Sequence, residues 1–421
     1  MSIRGAILTV GGSPEPVVHS LSRRRPEFIL FVVSEKTRAL VAGCIAPQLD
    51  YAPQYECVTV KDPDEMSGCY AAIRGAIPDW LRERDLNPGE VYVDITGGTK
   101  PMSAALALAA VEWFHSFSYV AGGERNKDGV GVVVSGTESL LEIENPWHRY
   151  AVREKERASW LFRQCYPAPA VELLRQASVN CCPEMRAELC ALADLAALFA
   201  DADRFRFNGL RHRYDRNRSG LELIFASRSH LQTLERLDAM AAHWRCVEDE
   251  ISREGEPAPA TVRELLANAR RRVTQGRFDD GLARLYRAAE LFAQGKLFQA
   301  FGASLGKLVL ERIPAGKRDG FRERFGQPQV YETGATRKWE GYKFGLKQCF
   351  DALALSDDPA QHEVAARYAA IEGHLQKRNG SLLAHGLRPV EQADFEALWA
   401  ALVPVLDVQQ QEVPHWPELV F

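Results

Sequence analysis

Val91-Tyr92-Val93-Asp94-Ile95-Thr96-Gly97-Gly98-Thr99-Lys100-Pro101-Met102 is the stretch on which the reading of this chain turns. Its first half is a short apolar run, the pattern of a strand covered on both faces. Its second half is a glycine loop bearing two threonine hydroxyls and a lysine, and a helix-like segment over 102–113 follows. A strand that runs through a polar glycine loop into a helix is the unit from which parallel β-α-β sheets are built.

Working outward, the same arrangement recurs at the start of the chain. A strand over 3–10 ends in Gly11-Gly12-Ser13-Pro14, and strands are also expected over 28–33 and 56–60. Helix-type spacing occupies 16–23, 37–45 and 64–83 between them. Segments 117–121 and 130–135 flank Asn126-Lys127-Asp128-Gly129, a turn-forming quartet, and are expected to pair as an antiparallel hairpin that closes the sheet. The first 145 residues therefore read as an α/β domain. Beyond about residue 150 strand signals nearly vanish. Helical periodicity marks 153–165, 183–202, 231–253, 261–274, 278–300, 342–354, 363–377 and 390–406. Pro167, Pro169, the Gly255-Pro257-Pro259 stretch and the segment from Gly316 to Gly334 act as punctuation. The expected organisation is an α/β domain over 1–145, a helical connector over 146–255 and an all-α domain over 256–421.

Totals narrow the function. With 421 residues the chain is too long for one compact core. A net charge of −4 argues against coating nucleic acid through bulk positive charge. The nine cysteines are odd in number and form no CxxC pair with partner histidines, so neither a zinc site nor a disulfide framework is expected. There is no obvious Asp/Glu cluster for a metal either, and no metal or cofactor is predicted. The longest apolar stretch, 104–111 continued by Trp113-Phe114, falls short of the roughly 20 residues of a membrane span. With no secretion signal read at its start, the chain is expected to be cytoplasmic and to have no membrane partner.

In an open α/β sheet, ligands sit beyond the carboxyl ends of the strands, where crossovers diverge to opposite faces. Glycines there let the backbone approach a phosphate or a base, and helix N-termini attract anions. Neither loop matches GxxxxGK[ST] or GxGxxG, which disfavours ATP hydrolysis and ordinary NAD binding. A nucleotide sensor is the leading reading, with two plain tight turns as the alternative. The VGGSPEP loop and the DITGGTKPM segment resemble the ligand motifs of CARF domains, the Rossmann-like sensors of type III CRISPR ancillary effectors, over about the first 140 residues. The resemblance implies a homodimer that holds a cyclic oligoadenylate, the tetra- or hexa-adenylate, on its two-fold axis. The implied contacts are Gly11, Gly12, Ser13, Thr96, Gly97, Gly98, Thr99 and Lys100, with Ser34 and Glu35 as weaker additions.

Near the other end stands Arg378-Asn379-Gly380-Ser381-Leu382-Leu383-Ala384-His385-Gly386. It resembles the R-x4-6-H signature of HEPN ribonucleases, and the two resemblances together are those of the CARF–HEPN ribonucleases. On a helix, seven steps of about 100° come within roughly 20° of two full turns, which puts Arg378 and His385 on one face. Gly380 allows instead that the motif straddles a helix end. RNA supplies its own nucleophile in the 2′-hydroxyl. A metal-independent enzyme then needs Arg378 to hold the phosphate and His385, with an ordinary pKa near about 6.5, to move the proton. Asn379 is expected to orient either group. The expected substrate is single-stranded RNA. The rival reading is a sensor whose helical half only docks partners, its Arg/His pair inactive; a variant of it has the sensor degrade its own ligand.

Three further features carry expectations. Leu282, Leu285, Ala289 and Phe292 fall on one face of the 278–300 helix and suit a partner surface, with Arg287 and Glu290 in support or merely paired. The segment from Arg204 to Arg218, interleaved with Phe205, Phe207 and Tyr214, reads either as a guide for single-stranded RNA or as a solvated connector. Arg270-Arg271-Arg272 reads as an exposed helix face.

Overall fold

The computed structural model describes residues 3–114, 116–122, 138–226, 228–253, 255–333, 337–380, 386–419 and 421. The chain divides into two compact units, Met1–Arg153 with Asn180–Met185, and Glu154–Val179 with Arg186–Phe421.

In the first unit strands and helices alternate: β1 (Gly5–Thr9), α1 (Glu15–Arg24), β2 (Phe28–Ser34), the short α2 (Arg38–Leu40), which runs into a π-turn at Val41–Ile45, β3 (Gln54–Val60), α3 (Met66–Glu83), β4 (Val91–Asp94), α4 (Lys100–Ala110), β5 (Ser116–Gly122), β6 (Glu138–Glu144) and α5 (Pro146–Arg149). The sheet order is β3-β2-β1-β4-β5-β6. All neighbours are parallel except β5 and β6. Strand residues alternate between two cores, as a period of two requires. Ala6, Leu8, Ile29, Phe31 and Val33 pack on the side of α1 and the π-turn. Ile7, Leu30, Val32 and Val93 pack on the side of α3 and α4. The antiparallel partner of β5 is Glu138–Glu144; the strand expected over 130–135 and its turn lie outside the described residues. Asn145, fully buried, ends the sheet: its amide donates to the carbonyls of Val111 and Phe114 at 2.7 Å each and its side-chain oxygen accepts from Trp147 N.

The second unit holds most of α6 (Val152–Arg163), then α7 (Pro167–Asn180), α8 (Pro183–Asp203), α9 (Leu210–Ile224), α10 (Arg228–Ser252), α11 (Pro259–Thr274), α12 (Phe278–Phe301), α13 (Arg318–Phe325), α14 (Leu346–Leu353), α15 (Pro359–Ala366), α16 (Ala369–Asn379) and α17 (Gln392–Val405). It is not all-α as expected. Strands β7 (Lys307–Val309), β8 (Gln329–Thr333) and β9 (Arg337–Lys343) form a small antiparallel sheet in the order β7-β9-β8. The segment read as punctuation contains this sheet because its strands are short and mostly polar outside; only Leu308 and Tyr342 anchor it in the core. Pro167 and Pro169 do not break α7 but open it, since proline is tolerated in a helix's first turn. Among the described residues no helix is long and apolar enough to cross a membrane.

Two more expectations are corrected here. Leu282, Leu285 and Ala289 are no partner surface: they are at most 2% exposed and pack inside the unit's own core, with Phe292 partly buried beside them. Arg271 and Arg272, each 5% exposed, do not lie on an exposed face. Arg271 bonds Glu264 at 2.6 Å and Asp203 at 3.1 Å, and Arg272 pairs with the same Asp203. His243 reaches Glu264 at 3.0 Å, and Asn268 donates to Asp203. Burial by itself pushes the Glu264 carboxyl up, but Arg271 and His243 beside it outweigh that and hold it below the ordinary value of 4.5.

Breaking a buried ion pair from one side strands the other charge, at a cost of about 3–5 kcal/mol. Glu264→Ala is therefore expected to lower the denaturation midpoint by that order, as followed by circular dichroism. Because the folded carboxyl titrates below its unfolded value, its stabilisation is complete above about pH 4.5 and is lost as the pH falls through the folded value. The gap between parent and variant should accordingly close in acid.

Candidate functional site

β1 and β4 lie side by side, with Leu8 opposite Asp94. Beyond that pair the chains part, β1 toward α1 on one face of the sheet and β4 toward α4 on the other. The two glycine loops thus leave the sheet at its switch point, where a parallel sheet opens a crevice.

The loops touch backbone to backbone. Thr9 Oγ1 donates to the Gly97 carbonyl at 2.6 Å, and Ser103 Oγ donates to the same oxygen at 2.6 Å. A Cβ on Gly97 would overlap the Thr9 carbonyl oxygen, and one on Gly11 would meet Gly98 N at 2.9 Å. Gly98 has φ +78°, a left-handed conformation that side chains resist. Around Gly12, by contrast, there is open space.

Beneath the loops Asp94, 2% exposed, accepts from Ser20 Oγ at 2.6 Å, from Ser118 Oγ at 3.0 Å and from Thr96 N at 2.9 Å. Thr96 Oγ1 in turn accepts from Val120 N at 2.8 Å. Thr99 caps α4, accepting from Met102 N at 3.3 Å, and donates to the Pro63 carbonyl on the loop after β3. Ser34, at the carboxyl end of β2, is 7% exposed and exchanges hydrogen bonds with Thr37. These three hydroxyls hold the loops in place. Gly12, Ser13, Glu35 and Lys100 are exposed, and Lys100 stands in the first turn of α4, where the helix dipole favours an anion. All ten sensor residues expected from the sequence therefore sit at the carboxyl edge of the sheet, in supporting or in exposed positions. Thr9, Asp94 and Ser103 were missed; Ser103 was legible only as a hydroxyl one helical turn after Thr99.

In the second unit Arg378 and Asn379 are the last residues of α16, whose Ile371 and Leu375 are buried in the core. The helix ends at Asn379. His385 lies outside the described residues. The chain doubles back across that gap: Arg388 N donates to the Gly380 carbonyl at 3.1 Å, and a Cβ on Gly386 would overlap that same carbonyl. Arg287 pairs with Glu290 at 3.2 Å on α12. In the 204–218 segment Phe207 and Tyr214 are buried, while Arg211, Arg213 and Arg218 are paired with Asp215, Asp201 and Asp238. That arrangement fits a connector rather than a base-stacking path. Among the described residues no group of His, Cys, Asp and Glu is arranged to hold a metal ion.

Gly97→Ala is expected to force the loops apart and cost about 1–3 kcal/mol, as overpacking does. Gly12→Ala, with open space around it, should leave the thermal midpoint where it is. Equal midpoints for both variants would contradict the contact between the loops.

Comparison with known proteins bears on both units. Residues 251–409 match the family described as the Csm6 HEPN domain. Among solved structures, Enterococcus italicus Csm6 bound to cyclic hexa-2′-fluoro-hexa-dAMP aligns over 98% of this chain and 96% of its own, at 12% identity and a TM-score of 0.53. Partial likenesses extend to a type III CRISPR defence DNA nuclease activated by cyclic oligoadenylate (13% identity, 48% of this chain, 34% of that chain, TM-score 0.25) and to Can2 from Sulfobacillus thermosulfidooxidans in complex with cyclic tetra-adenylate (11%, 51%, 69% and 0.24). No curated protein sequence matches. Residues 251–409 thus match a Csm6-type HEPN domain, and the chain as a whole shares its fold with Csm6.

Proposed function

We propose that the chain is a cyclic-oligoadenylate-activated, metal-independent endoribonuclease of type III CRISPR antiviral defence that acts on single-stranded RNA. The match of residues 251–409 to the Csm6 HEPN domain carries this reading. In it, residues 1–145 are a Rossmann-like CARF sensor, 146–255 a helical connector and 256–421 the nuclease, and two copies pair in the cytoplasm. The ligand is cyclic tetra- or hexa-adenylate. The exposed backbone at Gly12 and Ser13 and the Lys100 ammonium at the head of α4 receive its phosphates, while Gly11, Gly97 and Gly98 keep the loops thin enough for close approach.

Gly386, next to His385 in sequence, lies against the Gly380 carbonyl two residues after Arg378, which supports reading Arg378 and His385 as one site. Arg378 stabilises the charge that builds on the phosphate as the neighbouring 2′-hydroxyl attacks it. His385 delivers the proton to the departing 5′-oxygen, and Asn379 orients the pair. The products are a 2′,3′-cyclic phosphate and a 5′-hydroxyl. Ligand can switch this activity only by binding the cutting arrangement more tightly than the resting one.

A fluorescent RNA incubated with cyclic tetra- or hexa-adenylate and a chelator should be cut by the parent. Arg378→Ala and His385→Ala should each lose about 10²-fold or more in rate while binding the cyclic ligand as before. Lys100→Ala should weaken ligand binding about tenfold, the loss expected for one charged hydrogen bond. Equal cutting by parent and both nuclease-site variants would sink the catalytic assignment.

A further inference from the structure

An open cleft of about 360 Å³ lies between α12, the start of α14 and α16. It is lined by two phenol rings, Tyr286 on α12 and Tyr368 at the head of α16, and by one ion pair, Lys347 on α14 with Glu372 on α16. Lys347 Nζ stands 2.5 Å from the Glu372 carboxylate, with 55% and 40% of the two side chains exposed. Phe350 backs the Tyr368 ring at 5.2 Å between centroids, and Lys347 Nζ lies 5.9 Å from that ring. Leu346 and Leu375 are the buried apolar members of the lining. Leu375 precedes Arg378 by three residues on the same helix, about 4.5 Å along its axis.

An ion pair this exposed contributes little to stability. Rings, a donor and an acceptor together in a water-open cleft are instead what a splayed-out nucleobase requires: faces to stack on and partners for its edge. The acceptor is a carboxylate with two oxygens, and an ammonium donor stands beside it. Guanine alone among the RNA bases offers two adjacent N–H groups, at N1 and N2, next to a carbonyl at O6. We propose that the cleft of Tyr286, Lys347, Tyr368 and Glu372 is a nucleobase subsite that takes a guanine of the substrate RNA beside the scissile phosphate. Glu372 accepts from N1–H and N2–H, Lys347 turns from Glu372 toward O6, and Tyr368 stacks. Lys347, Tyr368 and Glu372 are specificity residues, not catalytic ones. The placement beside the cut rests on the nuclease reading; the base preference itself is tested without cleavage.

The test uses the full chain with cyclic oligoadenylate present and short 2′-O-methyl RNA, which binds but lacks the nucleophile. Oligomers that differ only by guanine or inosine at one position are compared by fluorescence anisotropy, inosine lacking the N2 amine. The parent is expected to prefer guanine about tenfold, the loss expected for one hydrogen bond to a charged group. Glu372→Gln should erase that preference and Lys347→Ala should weaken guanine and inosine alike, neither changing the thermal midpoint or cyclic-ligand binding. Tyr368→Leu should weaken both oligomers alike. Mapped cleavage sites on unmodified RNA should lose their guanine bias in Glu372→Gln. Equal binding of guanine and inosine by the parent would overturn the subsite, even if RNA is cut. A guanine preference in a parent that cuts no RNA would keep the subsite and overturn the nuclease reading.

Discussion

A carboxylate out of reach of water sets the geometry at the carboxyl edge of the six-stranded sheet. Asp94 ends β4 and is met by hydroxyls from α1 and β5 and by the amide that begins the second glycine loop. A buried carboxylate without donors is far costlier than a neutral group in the same place, so the elements supplying those donors are bound to one arrangement. The loop then leaves the sheet in a fixed direction, straight across the end of β1. Only glycine at positions 97 and 98 lets it pass there, and the threonine and serine bonds to the Gly97 carbonyl finish the junction.

The second unit reaches order by another route. Its helices are not all apolar on the inner side; α11 presents glutamate, asparagine and two arginines to the interior. They are matched by Asp203 at the end of α8 and His243 on α10, so α8, α10 and α11 share one desolvated polar set. The segment that begins at Arg378 lies elsewhere, at a helix end where the Gly380 carbonyl is bonded by Arg388. Arg378 stands one residue before the end of α16, and Gly386 and Arg388 both approach the Gly380 carbonyl that follows it.

How much of this was legible follows from range in the sequence. The α/β alternation was readable because parallel strands are local apolar runs, and both glycine loops were recognisable by their position at strand ends. That they touch was not, because Thr9 and Gly97 are 88 residues apart. Arg271 and Arg272 look like solvent-facing charge until Asp203, nearly 70 residues earlier, is folded against them. The apolar stripe on α12 was found correctly and given the wrong partner, since periodicity reveals a buried face but not what buries it. The small sheet escaped because β7 is three residues long and β8 and β9 carry few apolar side chains. Pro167 misled in the opposite sense: the same ring that halts a helix from within begins one at its head.

The shared charges around α11 also constrain how such a chain can diverge. Asp203 serves two arginines, and Glu264 serves Arg271 and His243, so replacing any one residue leaves another stranded in a dry interior. Neutral drift cannot pass through those intermediates one step at a time. Descendants either keep the whole set or exchange several members nearly together, for an apolar cluster or for a mirrored arrangement of charge. Asp203, His243, Glu264, Arg271 and Arg272 are therefore expected to change as a block rather than singly.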